Sequence, residues 1–278
     1  MINSEKSKLQ LEVLISTTNK TSLDFVYKMF TNCDFSKFQI LIINQTNKNN
    51  ILISKNDNIR VINVTYFGLS KSRNLALKNA VGDICLFTDD DVVFDANFHI
   101  TIVNAFSENK NAGLIAFKVH NREGEDYRSY PTRNKRFNLK SIKGLMSIEI
   151  AVRPKIILQK GIRFDERFGL GSLFETGEEY LFGNSVLNHQ IPAYFFNSYI
   201  VYHDEFNSGM DLGSDKIIFG RGALNYCLYG KWAYFWVLKY LNFLLRNKYI
   251  SINQVSSKMN IALKGIAAFK KTKCPITT

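Results

Sequence analysis

The chain has 278 residues, 46% of them hydrophobic and 22% charged, which suffices for one large domain with an extension and excludes a wholly disordered or fibrous protein. Its formal charge is +12, from 36 basic and 24 acidic residues, but no acidic residue follows Asp215 whereas 11 basic ones do, so the excess lies in the C-terminal part. Cys33, Cys85, Cys227 and Cys274 form no C-x-x-C pair, and the polar start MINSEKSKLQLE lacks the apolar stretch of a secretory leader. A zinc site or disulfide framework is therefore not indicated, and a cytoplasmic location is expected.

Residues 11–16 (LEVLIS), 39–44 (QILIIN), 59–64 (IRVINV) and 83–87 (DICLF) are short branched-aliphatic runs that read as buried strands. Between the first two, Leu23, Val26, Tyr27 and Phe30 recur at helical spacing. Between the last two, SKSRNLALKNAVG reads as a helix stopped by Gly82. Strand and helix alternating in this way predict a mostly parallel sheet with helices on its faces. A further helix is expected near 97–108 and strands near 113–119 and 145–152. The polar stretch 121–141 reads as a mobile loop.

The run Phe87-Thr88-Asp89-Asp90-Asp91 follows a predicted strand directly. In an open parallel sheet, ligands bind beyond the C-terminal strand ends, so these carboxylates fall in the binding crevice. Adjacent aspartates repel and raise one another's pKa unless a cation is present. A hard divalent ion, Mg²⁺ or Mn²⁺, removes that penalty and bridges to diphosphate oxygens. A solvated acidic turn is the alternative.

Gly68-Leu69-Ser70-Lys71-Ser72-Arg73-Asn74, Gly82-Asp83 and Asp89-Asp90-Asp91 resemble, in that order, the "G-x-x-x-(A/S)-R-N … G-(D/E) … D-x-D" core of family-2 glycosyltransferases with the GT-A fold. Phe164-Asp165-Glu166-Arg167-Phe168-Gly169 and Gly177-Glu178-Glu179 are similar to the family's "F-D-E-x-F … G-E-D" segment. The resemblance runs from about residue 11 to about residue 209. It implies an α/β GT-A catalytic domain over 1–209, followed by a basic helical extension over 210–278.

The same resemblance implies a donor site of Thr17, Asn44, Arg73, Asp89 and Asp90, with Asp89 near the ribose and Arg73 lining the nucleotide pocket. It implies a Mn²⁺ or Mg²⁺ ion held by Asp91, Asp89 and His203. Glu179 aligns with the family's carboxylate base, and the neighbouring Glu178 is the alternative. Two glutamates would also suit a helix N-terminus irrespective of catalysis. After the second strand the family's aspartate is replaced by Asn44, in Asn44-Gln45-Thr46-Asn47, which loosens the expectation of a uracil base. The loop Gly169-Leu170-Gly171-Ser172 offers backbone amides to an acceptor or a phosphate, or is simply a turn that needs positive φ. His99, His120 and His189 sit in no motif.

Residues 231–246 (KWAYFWVLKYLNFLLR) form a predicted helix whose Lys239, Asn242 and Arg246 share one stripe. At 1.5 Å per residue it reaches about 24 Å, short of a hydrocarbon core of about 30 Å. A second basic helix is expected at 256–271. Trp232, Tyr234, Phe235, Trp236, Tyr240 and Phe243 favour an interfacial helix on an anionic membrane over a nucleic-acid groove, the alternative being a face packed on the catalytic domain. The resemblance to family-2 glycosyltransferases implies an inverting, metal-dependent transfer of a sugar from a nucleotide sugar, UDP-linked, to a saccharide or lipid-linked acceptor in polysaccharide synthesis. The protein would be peripheral to the inner face of the plasma membrane. The alternatives are a nucleotidyltransferase, for which Ser16-Thr17-Thr18-Asn19-Lys20 is a poor phosphate loop, and an inactive GT-A scaffold attached to a membrane.

Overall fold

A computed structural model of the chain describes residues 9–203 and 211–272. The expected domain division at 209 and Cys274 lie outside the described residues. The chain groups into two compact units: Met1–Phe67, Lys71–Arg163 and Phe182–Glu205 form the first, and Gly68–Ser70, Phe164–Leu181 and Phe206–Thr278 the second. Phe164–Leu181 thus group with the C-terminal helices, whereas the sequence division places them with the strands.

The first unit is built on one sheet. Its strands are β1 (Leu11–Thr18), β2 (Gln39–Gln45), β3 (Ile59–Val64), β4 (Ile84–Thr88), β5 (Val92–Phe94), β6 (Leu114–His120), β7 (Lys135–Arg136), β8 (Ile150–Val152) and β9 (Ala193–His203). They lie in the order β3-β2-β1-β4-β8-β6-β9-β5, with β7 on β9. β3, β2, β1 and β4 run parallel, as the aliphatic runs predict. Beyond β4 the sheet is mixed: β8 is antiparallel to β4 and β6, and β5 and β7 are antiparallel to β9. The expectation of parallel pairing therefore holds among the first four strands and again for β6 with β9, whereas the short strands β5, β7 and β8 pair antiparallel.

Helix α1 (Asp24–Met29) buries Phe25, Val26 and Met29, while Tyr27, expected on the apolar face, is exposed. Helix α2 (Leu69–Lys78) ends at Lys78, so Gly82 does not stop it. Instead, the backbone N–H groups of Val81 and Gly82 donate to Glu12 Oε2 at 2.6 and 2.9 Å, and Arg60 pairs with Oε1 at 2.6 Å. A buried carboxylate in β1 thus fixes the entry to β4, its desolvation offset by an ion pair and two hydrogen bonds. Helix α3 (Phe98–Glu108) contributes to a ring cluster in which Phe94 and Phe98 approach to 4.4 Å and Phe38 and Phe98 to 5.0 Å. α4 (Pro154–Gln159) and α5 (Glu178–Asn188) follow.

The stretch expected to be a mobile loop is anchored. Asn121 and Glu125 close a turn, Tyr127 N–H donates to Val119 O, and β7 pairs with β9. Arg128 Nη2 lies 2.6 Å from the buried Glu149, and Asn197 donates to Thr132 O at 2.9 Å. The expected strand at 145–152 shortens to β8, since Ser147–Glu149 form a 3-10 turn.

The second unit holds α6 (Asp215–Tyr229), α7 (Ala233–Arg246) and α8 (Val255–Lys271). The last two match the predicted helices. α7 buries Ala233, Val237, Tyr240, Leu241 and Leu244 against Ile218 of α6 and Ala262 and Ile266 of α8. Among the described residues, no helix is long and apolar enough to cross a membrane.

Candidate functional site

The parallel strands β1, β2 and β4 end side by side, with Thr17 in register with Asn44 and Ile15 with Thr88. The three aspartates leave β4 at that edge, and β5 then returns along β9 so that Val92 faces His203. The sheet therefore gathers Thr17, Asn44, Arg73, Asp89, Asp90, Asp91 and His203 within the first unit, all residues the sequence singled out.

The mutual repulsion expected of three adjacent carboxylates is relieved by three different basic partners. Arg73, a buried side chain of α2, donates from Nη2 to Asp89 Oδ1 at 3.4 Å. Lys20 Nζ lies 2.8 Å from Asp90 Oδ2, which also accepts from Thr17 Oγ1. His203 Nε2 stands 3.6 Å from Asp91 Oδ1. The hydrogen bond and charge of His203, with Lys20 adding to it, hold the Asp91 carboxyl below its usual range against the opposing effect of burial. Asp91 is the most open of the three, its side chain 55% exposed against 35% for Asp89 and 24% for Asp90.

Asn44 takes a different part from the base-reading one expected of it. Its side chain is fully buried; Nδ2 donates to Lys20 O and Asn63 Oδ1, both at 2.9 Å, and Oδ1 accepts from Lys20 N–H at 3.1 Å. With both amide hydrogens and the carbonyl engaged, Asn44 fixes the turn that carries Lys20 to Asp90.

Three residues at this edge have no motif to announce them. Lys20 is one. Ser147 Oγ, in the 3-10 turn clamped by Glu149 and Arg128, donates to Asp89 Oδ2 at 3.4 Å. The Tyr127 ring meets His203 edge-on at 5.4 Å, and burial together with the Asp91 charge raises its hydroxyl pKa. Tyr127 and Ser147 come from the segments read as a loop and a strand, so only the fold brings them here.

Among the described residues, no three His, Cys, Asp or Glu side chains gather closely enough to hold a metal on their own. Asp91 with His203 offers one hard oxygen and one imidazole nitrogen. That pair suits a divalent ion taking its remaining ligands from a diphosphate and water, the usual habit of Mg²⁺. Asp89 is engaged by Arg73 and Ser147.

In the second unit, Glu178 and Glu179 open α5, Glu178 buried and Glu179 half-buried. The loop before them is a turn with Gly169 at φ 100° and Gly171 at φ 74°. It is tied to the start of α2, since Leu69 N–H donates to Leu170 O at 2.9 Å and Ser70 Oγ to Phe168 O at 2.6 Å. A Cβ at Gly169 would meet Ser70 Oγ at 2.9 Å and the Glu178 carboxyl carbon at 3.1 Å, so this packing requires glycine.

The fold is similar to that of several solved structures. TarS of S. aureus, residues 1–349 in complex with UDP-GlcNAc, aligns at TM-score 0.54 and 13% identity over 95% of this chain and 92% of that one. GalNAc-T7 with UDP, GalNAc and Mn²⁺ aligns at 0.59 and 14% over 98% of this chain and 59% of that one. These likenesses bear out the expected GT-A fold. An uncharacterized glycosyltransferase of Haemophilus influenzae is 24% identical over 179 residues, 62% of this chain, which spans about 60% of that relative's length. Residues 15–174, more than half of the chain, match the family model of glycosyl transferase family 2, and the chain belongs to that family.

Proposed function

We propose that the protein is an inverting glycosyltransferase that moves a sugar from a UDP-linked donor to a lipid-linked saccharide during polysaccharide assembly. The observation that carries the reading is the fan of Asp89, Asp90 and Asp91 at the end of β4, each on its own basic partner and Asp91 left most open, in a chain of this family. TarS bound to UDP-GlcNAc and GalNAc-T7 bound to UDP, GalNAc and Mn²⁺ share the fold and support a nucleotide sugar as donor.

Thr17, Arg73, Asp89 and Asp90 form the donor-facing edge, with Asn44 acting through the Lys20 turn. Asp91 and His203 are the pair that would hold a Mn²⁺ or Mg²⁺ ion, whose charge would offset that developing on the departing diphosphate. Glu179 takes the proton from the acceptor hydroxyl; its half-buried position at the start of α5 keeps it reachable, whereas Glu178 packs under the Gly169 turn. As that proton leaves, the acceptor oxygen bonds to the anomeric carbon from the face opposite the bond to phosphate. That bond breaks and its electron pair departs with the nucleoside diphosphate. The product sugar is inverted at that carbon. Residues 231–278 would hold the enzyme at the anionic membrane surface on which such an acceptor lies.

Replacing Glu179 by Gln tests the assignment of the base. Donor binding should persist while turnover falls by about 10²–10⁴-fold. Retained turnover in Glu179→Gln, with loss in Glu178→Gln, would move the role to Glu178.

A further inference from the structure

Helix α7 has two unlike faces. One is buried among α6 and α8. On the other, Trp232 just ahead of the helix is 72% exposed, Phe235 67% and Leu238 57%, and Ile252 beyond it is 69% exposed. Side chains of this size rarely stand in water as a group unless something covers them. Lys239, Asn242 and Arg246 are interleaved with them at helical spacing, one turn apart, and all three are exposed. Together with Phe243 and Asn247 they line an open groove of about 340 Å³.

Charge identifies the occupant. No acidic residue follows Asp215, and Asp215 itself is taken by Lys258 at 2.7 Å. Among the described residues, Lys239 and Arg246 make no ion pair, so the groove presents uncompensated positive charge amid apolar side chains. A nucleic-acid strand would use the cations and stack on Trp232 and Phe235, but would leave Leu238 and Ile252 in water. A bilayer surface uses both classes: aromatic and aliphatic side chains sink to the headgroup level and the cations meet phosphates.

We propose that the groove on α7 formed by Lys239, Asn242 and Arg246 is a binding site for the phosphate of an anionic phospholipid, with Trp232, Phe235 and Leu238 inserted beside it. The proposal rests on the membrane contact proposed above and specifies its chemistry. It is independent of Asp91 and Glu179. At 14 residues α7 is too short to span, so it lies in the plane of the interface.

The experiment is sedimentation of the full chain with phosphatidylcholine vesicles, with and without phosphatidylglycerol, alongside donor hydrolysis as a control. The wild-type chain should pellet with the anionic vesicles. The double variant Lys239→Gln/Arg246→Gln should bind them about 30-fold more weakly, as expected for two cations near an anionic leaflet. Trp232→Ser/Phe235→Ser should lose binding to both compositions, and donor hydrolysis should be unchanged in both variants. Wild-type affinity in Lys239→Gln/Arg246→Gln, or equal wild-type binding to both compositions, would overturn the phosphate groove and leave membrane contact standing. Absence of binding to any vesicle would overturn the membrane contact itself. So would capture of a single-stranded oligonucleotide in its place, or a dimer that forms without lipid and is lost in Trp232→Ser/Phe235→Ser.

Discussion

At the scale of single residues, the site is a set of charges held apart. Asp89, Asp90 and Asp91 are consecutive, yet Arg73, Lys20 and His203 reach them from three different parts of the chain. Behind them lies Glu149, fully buried, which supports the turn bearing Ser147. Burial pushes its carboxyl up to about 7, against the opposing pull of Arg128 and of hydrogen bonds from Met146 N–H and Tyr130. The folded protein thus keeps a proton that the unfolded chain releases near 4.5. Between those values the folded state binds more protons, so stability falls as pH rises, by on the order of 3 kcal/mol in total. Urea unfolding across that range should show this decline in the wild type and a flatter profile in Glu149→Gln. An equally steep profile in the variant would remove Glu149 from the account. The aspartates, Arg73 and His203 were legible in the sequence because short motifs carry them. Lys20, Ser147 and Tyr127 were not, because each depends on a contact made across tens of residues. The expected repulsion among the aspartates was also misjudged, since residue spacing does not reveal which cations the fold supplies.

At the scale of elements, the strands were legible because aliphatic runs such as Val13–Ile15 and Ile40–Ile43 are buried on both faces. Helices α7 and α8 were legible from their apolar periodicity. Helix α6 was not identified, and its interior glycines explain why. Glycine inside a helix lowers its propensity, yet α6 crosses α8 so closely that a Cβ on Gly222 would sit 2.3 Å from Ala262 O, and one on Gly265 of α8 would sit 2.0 Å from Phe219 O. The glycines serve the helix packing at some cost in helix propensity. Gly265→Ala should therefore destabilise the second unit by about 1–3 kcal/mol, in spite of alanine's better propensity. Ser256→Ala, at an exposed position of the same helix, should change little. Thermal denaturation followed by circular dichroism separates the two; an unchanged Gly265→Ala would mean that the crossing is looser than described.

At the scale of the whole molecule, charge is unevenly spread. The aspartate fan belongs to the first unit, and nearly all of the excess positive charge lies in a C-terminal stretch that has no acidic residue after Asp215. Family membership rests on residues 15–174, so the helices beyond Asp215 stand outside the matched region and their role is argued from their own surface. Which sugar moves and which hydroxyl receives it depend on side chains no motif identifies, so the sequence led to classes of donor and acceptor and not to a particular sugar or linkage. The central claim is that Asp91, with His203, makes nucleotide binding depend on a divalent ion. Calorimetric titration of UDP into the wild-type chain and into Asp91→Ala, each with and without Mn²⁺, tests it most directly. The account predicts that Mn²⁺ strengthens UDP binding in the wild type and has no effect in Asp91→Ala; equal Mn²⁺-dependent affinity in the two proteins would contradict it.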